Sequence, residues 1–384
     1  MTERSEDGVS EAARLIAAAR TIVVKTGSSL VIAEDGGGVR PDWLAGLADD
    51  FADLIAEGKQ VVLVSSGAVA LGRLKLGLPR SARLDRKQAA AAAGQSMLMQ
   101  AWDRALAPHG IPAAQLLLTF EDTERRRRWL NARATLRVLL GRRALPIVNE
   151  NDSVATDELR YGDNDRLSAR VAQMIRADLL ILLSDVDGLY TADPGRDSRA
   201  RRIERVDEID DGIAALAGGA GAAGVGSGGM RTKIAAGRIA SGAGCASLIA
   251  SGRDAHPLCQ LREGAPATVL AARGTPGRAY KQWIAGSLAP AGTVEVDAGA
   301  AAALAGGKSL LPAGVARVTG AFERGVCLSI CDPAGREIAR GISAYNSEEA
   351  GLIAGCPKGG IEARLGYRGP DELIHRDDLV MMGR

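Results

Sequence analysis

Leu179-Leu180-Ile181-Leu182-Leu183, followed at once by Ser184-Asp185-Val186-Asp187-Gly188, decides the fold. Five large aliphatic residues in a row read as a strand covered on both faces, as in a parallel sheet; a membrane span needs about 18. Outward from it lie similar runs at Thr21–Lys25, Gln60–Val64, Ala114–Thr119, Leu145–Asn149 and Cys245–Ala250. Longer helix-like stretches separate them: Asp42–Ala56, Arg86–Leu106, Arg125–Leu140 and Asp165–Arg176. The last puts Leu167, Val171, Met174 and Ile175 on one side, the stripe of an amphipathic helix. This alternation predicts a three-layer α/β/α domain with a mainly parallel sheet over residues 21–272.

The pattern changes after Gly274. Short strand-like pieces at Gly292–Val296, Gly314–Val318, Val326–Ile330 and Glu337–Ala339, broken by Gly, Pro and Asp, predict a small, mostly β second domain over 279–362. Residues 273–278, with Gly274, Pro276 and Gly277, read as the linker, 1–20 as an N-terminal extension and 363–384 as a C-terminal tail. Thirteen residues from Ala217 to Gly229, nearly all Gly or Ala, predict a mobile loop in the first domain.

Composition narrows the class. A length of 384 residues suits two domains, and 46% hydrophobic with 24% charged residues excludes global disorder. Aromatics are only 3%, so Ala, Val, Leu and Ile must build the core. A net charge of +2 gives no electrostatic reason to expect nucleic acid or an acidic membrane. The first twenty residues mix acids and arginines and contain no apolar signal region. The five cysteines make an odd set without a C-x-x-C pair, so neither a disulfide framework nor a zinc knuckle fits. These features predict a cytoplasmic protein. His109, His256 and His375 stand outside every polar cluster, which argues against a histidine triad or a histidine metal site.

In an open α/β sheet, ligands bind beyond the carboxyl ends of the strands. Four strands here run into small polar turns: Lys25-Thr26-Gly27-Ser28-Ser29, Ser65-Ser66-Gly67-Ala68, Asn149-Glu150-Asn151-Asp152 and Ser184-Asp185-Val186-Asp187-Gly188. One such turn would only reflect turn propensity; four at one end suggest a binding edge. Gly226-Ser227-Gly228-Gly229-Met230-Arg231-Thr232-Lys233 leads into a helix pattern, and free N–H groups at a helix start, bared by glycine, suit a phosphate. The alternative is a flexible linker with a surface lysine. Gly224, Gly226 and Gly229 match G-x-G-x-x-G, but no strand precedes them, and the Walker pattern is absent, so dinucleotide and Walker sites are excluded. Only eight lysines stand against forty arginines, yet Lys25 and Lys233 occupy two of the phosphate-like loops. Gly162-Asp163-Asn164-Asp165 opens a helix; it reads either as an acidic N-cap or as a ligand site, with Asp165 orienting lysines or Mg²⁺. Arg125–Arg128 reads as a solvated helix face.

Taken together, these residues resemble the glutamate 5-kinase family, within the amino acid kinases. The likeness runs from about Thr21 to Asp378 and rests on Val23–Ser28, Ser65–Ala68, Leu130–Arg133, Val148–Asp152, Gly162–Asp165, Asp187–Thr191 and Gly228–Lys233. The second domain resembles a PUA module through Ser309–Val315, Gly341 and Tyr345–Ser347. The resemblance implies an amino-acid-kinase fold and transfer of phosphate from ATP to the γ-carboxylate of L-glutamate, the first step of proline biosynthesis. It implies that Lys25 and Lys233 stabilise the transferring phosphoryl group and that Asp165 organises them. It implies ATP on Lys25, Ser184, Asp185, Ser227, Gly228, Gly229, Met230, Arg231, Thr232 and Lys233, and glutamate on Ser66, Asp152 and Asn164. Mg²⁺ accompanying ATP, feedback inhibition by proline and a homo-oligomer, dimer or tetramer, are implied too, with no direct protein ligand to the metal assigned. Rival acceptors within the superfamily are aspartate, acetylglutamate, carbamate and UMP. RNA is not expected despite the PUA likeness, because Thr275–Glu362 carries eight basic and eight acidic residues.

Overall fold

The computed structural model describes residues 9–34, 36–80, 83–154, 164–217, 229–286 and 289–382. They form two compact units, residues 1–125 with 131–276 and residues 126–130 with 277–384.

The first unit is built on β1 (Thr21–Thr26), β2 (Gln60–Ser65), β3 (Ala113–Leu118), β4 (Leu145–Glu150), β5 (Leu179–Ser184), β6 (Arg205–Val206), β7 (Ala246–Ser251) and β8 (Ala267–Leu270). Their order across the sheet is β3-β4-β2-β1-β5-β7-β8-β6. All pairs are parallel except β7 with β8, where the direction reverses. β4 and β5 are buried along their whole length, as near-continuous apolar runs require, whereas β3 lies at the edge and is only partly covered.

The main helices of this unit are α1 (Glu11–Ala18), α2 (Pro41–Ala56), α3 (Ala68–Leu76), α4 (Leu84–Leu106), α5 (Arg126–Gly141), α6 (Asn164–Ile175) and α7 (Met230–Gly242), the first turn of α5 grouping with the second unit. The segment before β1 is more than an arm. Ser10 caps α1 by accepting from the Ala13 N–H at 3.2 Å, and Ile16 is fully buried in the same core as Ile22, Phe51 and Leu63. Helices α3 and α4 touch through Gly72 and Gly94. A Cβ on Gly72 would fall inside the radius of the Ala90 carbonyl oxygen, and one on Gly94 inside that of Ala68.

The second unit holds a five-stranded sheet made of β9 (Gly292–Val296), β10 (Val315–Thr319), β11 (Cys327–Cys331), β12 (Glu337–Ile342) and β13 (Leu379–Met381), in the order β10-β9-β11-β12-β13. It is more helical than its sequence predicts, with α8 (Pro276–Gly286), α9 (Ala298–Ala305) and α10 (Ser347–Ile353). Pro276, read above as linker, opens α8, where a missing N–H costs nothing. The segment 363–384, read as a tail, supplies β13 and the buried Leu373, Ile374 and Leu379 of this core. The Gly/Ala stretch read as a mobile loop lies outside the described residues, apart from its two ends.

Candidate active site

The four polar turns singled out from the sequence follow β4, β2, β1 and β5, which are neighbours in that order. Lys25 is level with Val64 on β2 and with Leu182 on β5, so the turns emerge side by side. Helices α6 and α7 bring Asp165, Thr232 and Lys233 to the Lys25 side chain.

Asp165 is the centre of this group. It is 1% exposed and holds two ammonium groups, Lys25 Nζ at 2.6 Å from Oδ1 and Lys233 Nζ at 3.3 Å from Oδ2. The Thr232 hydroxyl donates to Oδ2 at 2.5 Å. Burial pushes the Asp165 carboxyl up, but the Lys25 and Lys233 charges and the hydrogen bonds from Lys25 and Thr232 outweigh it and hold the carboxyl at about 2. Burial pulls the Lys233 ammonium down, opposed by Asp165 and reinforced by Lys25. A buried charge is tolerable only when paired, and here one anion serves two cations. Lys233 sits one turn into α7, whose cap Gly229 offers no side-chain hydrogen bond, so the helix start leaves backbone N–H groups for a ligand.

The second group lies at the ends of β2 and β4. Asn164 Nδ2 donates to Ser66 Oγ at 2.7 Å and to Asn149 Oδ1 at 2.9 Å. Asp152 is 8% exposed, and its Oδ1 accepts no hydrogen bond from the described residues. Burial raises the Asp152 carboxyl to about 6, and Lys87 moderates the shift. The oxygen Asn164 Oδ1 is buried without a partner among the described residues as well.

Other expected site residues are placed less tightly. Ser184 Oγ donates to Asp185 Oδ1 at 3.0 Å, and the Asp185 charge reaches Lys233. Met230 and Arg231 occupy the first turn of α7. Ser227 and Gly228 lie outside the described residues, as do Gly162 and Asp163. Two partners were not legible as such. Thr232 was expected at ATP but bonds Asp165, and Gln95 on α4 accepts from Asn149 Nδ2 at 2.9 Å. A sequence signal for Gln95 existed: it shares one helical face with Ala91, Leu98 and Trp102, a polar residue on an apolar stripe. Among the described residues no three His, Cys, Asp or Glu side chains gather as a metal cage, and no helix is long and apolar enough to cross a membrane.

A mainly parallel sheet carries a lysine-bridged carboxylate at its carboxyl edge, and the model described as the amino acid kinase family matches residues 20–251. The model described as the PUA domain matches residues 292–362. The glutamate 5-kinase of Caulobacter vibrioides is 58% identical over 367 residues, 95% of this chain and 97% of the relative. That of Paramagnetospirillum magneticum is 54% identical over 368 residues, 96% and 99% respectively. The one from Rhodopseudomonas palustris is 53% identical over 363 residues, 94% and 96%. The chain belongs to the glutamate 5-kinase branch of the amino acid kinase family, with a C-terminal PUA domain.

Proposed function

We propose that this chain transfers the γ-phosphoryl group of ATP to the γ-carboxylate of L-glutamate, giving ADP and L-glutamyl 5-phosphate. The observation that carries the mechanism is the sharing of one buried carboxylate, Asp165, by Lys25 and Lys233. A γ-carboxylate with an ordinary pKa near 4.3 is already ionised at neutral pH, so the acceptor needs no general base. One carboxylate oxygen attacks phosphorus in line, the bond to the β,γ-bridging oxygen breaks, and its electron pair leaves on ADP. The protein's task is alignment and neutralisation of charge on the equatorial oxygens. Lys25 and Lys233 supply the charge, while Asp165 fixes their spacing and is itself never the base, being held at about 2.

In this reading ATP lies on Lys25, Ser184, Asp185 and the segment Ser227 to Lys233, its phosphates at the start of α7. Glutamate lies on Ser66, Asp152 and Asn164, with the buried carboxylate of Asp152 facing the substrate ammonium. Mg²⁺ suits the phosphate oxygens of ATP better than Asp165, whose oxygens already hold Lys25, Lys233 and Thr232. Bound there, it neutralises phosphate charge. The family likeness also supports a homo-oligomer and inhibition by proline.

Hydroxylamine trapping tests the reaction. With MgATP, glutamate gives a strong hydroxamate signal that aspartate and N-acetylglutamate do not match. An equal or larger signal from either rival would overturn the assignment.

A further inference from the structure

We infer that Gln95 is a positioning residue: its carboxamide oxygen, by accepting from Asn149, supports the backbone-anchored orientation of Asn149 that decides which end of the Asn164 carboxamide is left for the substrate. The inference rests on glutamate lying at Asn164, as proposed above. Gln95, Asn149 and Asn164 are all buried and form one chain of carboxamides. Carboxamide oxygen and nitrogen are nearly the same size, so the polarity of such a chain needs an anchor that cannot be reversed. The backbone provides it. The Glu150 N–H donates to Asn149 Oδ1 at 2.9 Å, and a backbone N–H is only ever a donor.

Every other orientation follows. With its oxygen held by Glu150, Asn149 directs Nδ2 at Gln95 Oε1, 2.9 Å away. The same Asn149 oxygen accepts from Asn164 Nδ2, whose second partner is Ser66 Oγ. Among the described residues, Asn164 Oδ1 is therefore left over, a buried acceptor without a donor, and Asp152 Oδ1 is another. Two buried acceptors without donors are costly in the free protein and match one chemical feature of the substrate, its α-ammonium group. Without the Gln95 oxygen, the Asn149 NH₂ would be buried and unpartnered. It could turn away only by setting a donor against the Glu150 N–H and the Asn164 NH₂. The direction of Asn164, and with it the recognition of the ammonium, would then loosen.

The test compares glutamate with glutarate, which lacks the ammonium group, in the full chain. Gln95→Met removes the acceptor at similar volume, while Gln95→Glu keeps an acceptor oxygen in either protonation state. For Gln95→Met, KM for glutamate should rise about tenfold and the preference for glutamate over glutarate fall about tenfold, as for one lost buried hydrogen bond. KM for ATP should stay constant. Gln95→Glu should restore most of the preference. An unchanged preference in a folded Gln95→Met protein overturns the inference. If Gln95→Met does not fold, Gln95→Glu decides alone, because a lost preference despite the retained acceptor also overturns it. Absence of any glutamate-dependent hydroxamate from the wild-type protein would instead strike the proposed function itself.

Discussion

Around Asp165, two lysines and a threonine hydroxyl converge on one carboxylate, whereas the neighbouring Asn164 and, on the loop after β4, Asp152 each keep a buried oxygen with no donor among the described residues. In the first region each charged group already meets an opposite charge, although one carboxylate against two ammonium groups leaves positive charge over. The second is incomplete by itself. Burial pushes both carboxyls up, but the net shifts are opposite: neighbouring cations hold Asp165 at about 2, while desolvation lifts Asp152 to about 6. In the proposed mechanism, the difference separates a region that stabilises a transition state from one that binds a ground state. Charges that act on a moving phosphoryl group must be fixed beforehand. A group that recognises an ammonium can stay frustrated until that ammonium arrives.

Lys233→Met should break the first region most visibly. Turnover should fall a hundred- to a thousandfold or more, the scale of one electrostatic donor, while circular dichroism stays native because Lys25 and Thr232 still serve Asp165. Near-normal kcat would remove Lys233 from the mechanism. Asp152→Ala should act on the second region alone, raising KM for glutamate about tenfold or more with little change in KM for ATP; equal losses would erase the contrast. In the wild type, kcat/KM for glutamate should drop as pH falls through about 6, when Asp152 becomes protonated.

The smallest effect is on stability, and its sign sharpens the comparison. An aspartate raised from 3.8 to about 6 favours the folded state fully below pH 3.8 and loses that contribution as pH rises through 6. Asp152→Asn should therefore stabilise the ligand-free protein at pH 8, by up to about 3 kcal/mol, and raise its thermal midpoint; the gain should vanish near pH 4. Asp165 works in the other direction. Its stabilisation is present above pH 3.8 and is lost as pH falls towards 2. A midpoint for Asp152→Asn that is lower than wild type at pH 8 would mean that Asp152 is compensated after all.

Much of this was readable from sequence. The inner strands announced themselves because burial on both faces forbids polar breaks, and the four polar turns of the candidate binding edge follow strands that prove to be neighbours. What escaped reading depends on contacts remote in sequence. Helix α1 is eight residues long and half alanine, too weak a pattern to stand out, and Ile16 makes it structural. The three residues of β13 become a strand only beside β12. Thr232 was legible as a polar residue near phosphate, but its bond to Asp165 links residues 67 positions apart. Gln95 likewise depends on Asn149, 54 positions away.

The crossing of α3 over α4 at Gly72 and Gly94 has a bearing on how this enzyme can vary. Because main chain meets main chain there, no trimmed neighbour can make room for an added methyl; the helices themselves would have to part. Gln95 is the next residue along the chain from Gly94, so that parting would be transmitted to the amide tether of Asn149. On the inference drawn above for Gln95, selectivity for the acceptor is thus exposed to changes at this helix crossing, and directed evolution towards a different acid could begin there.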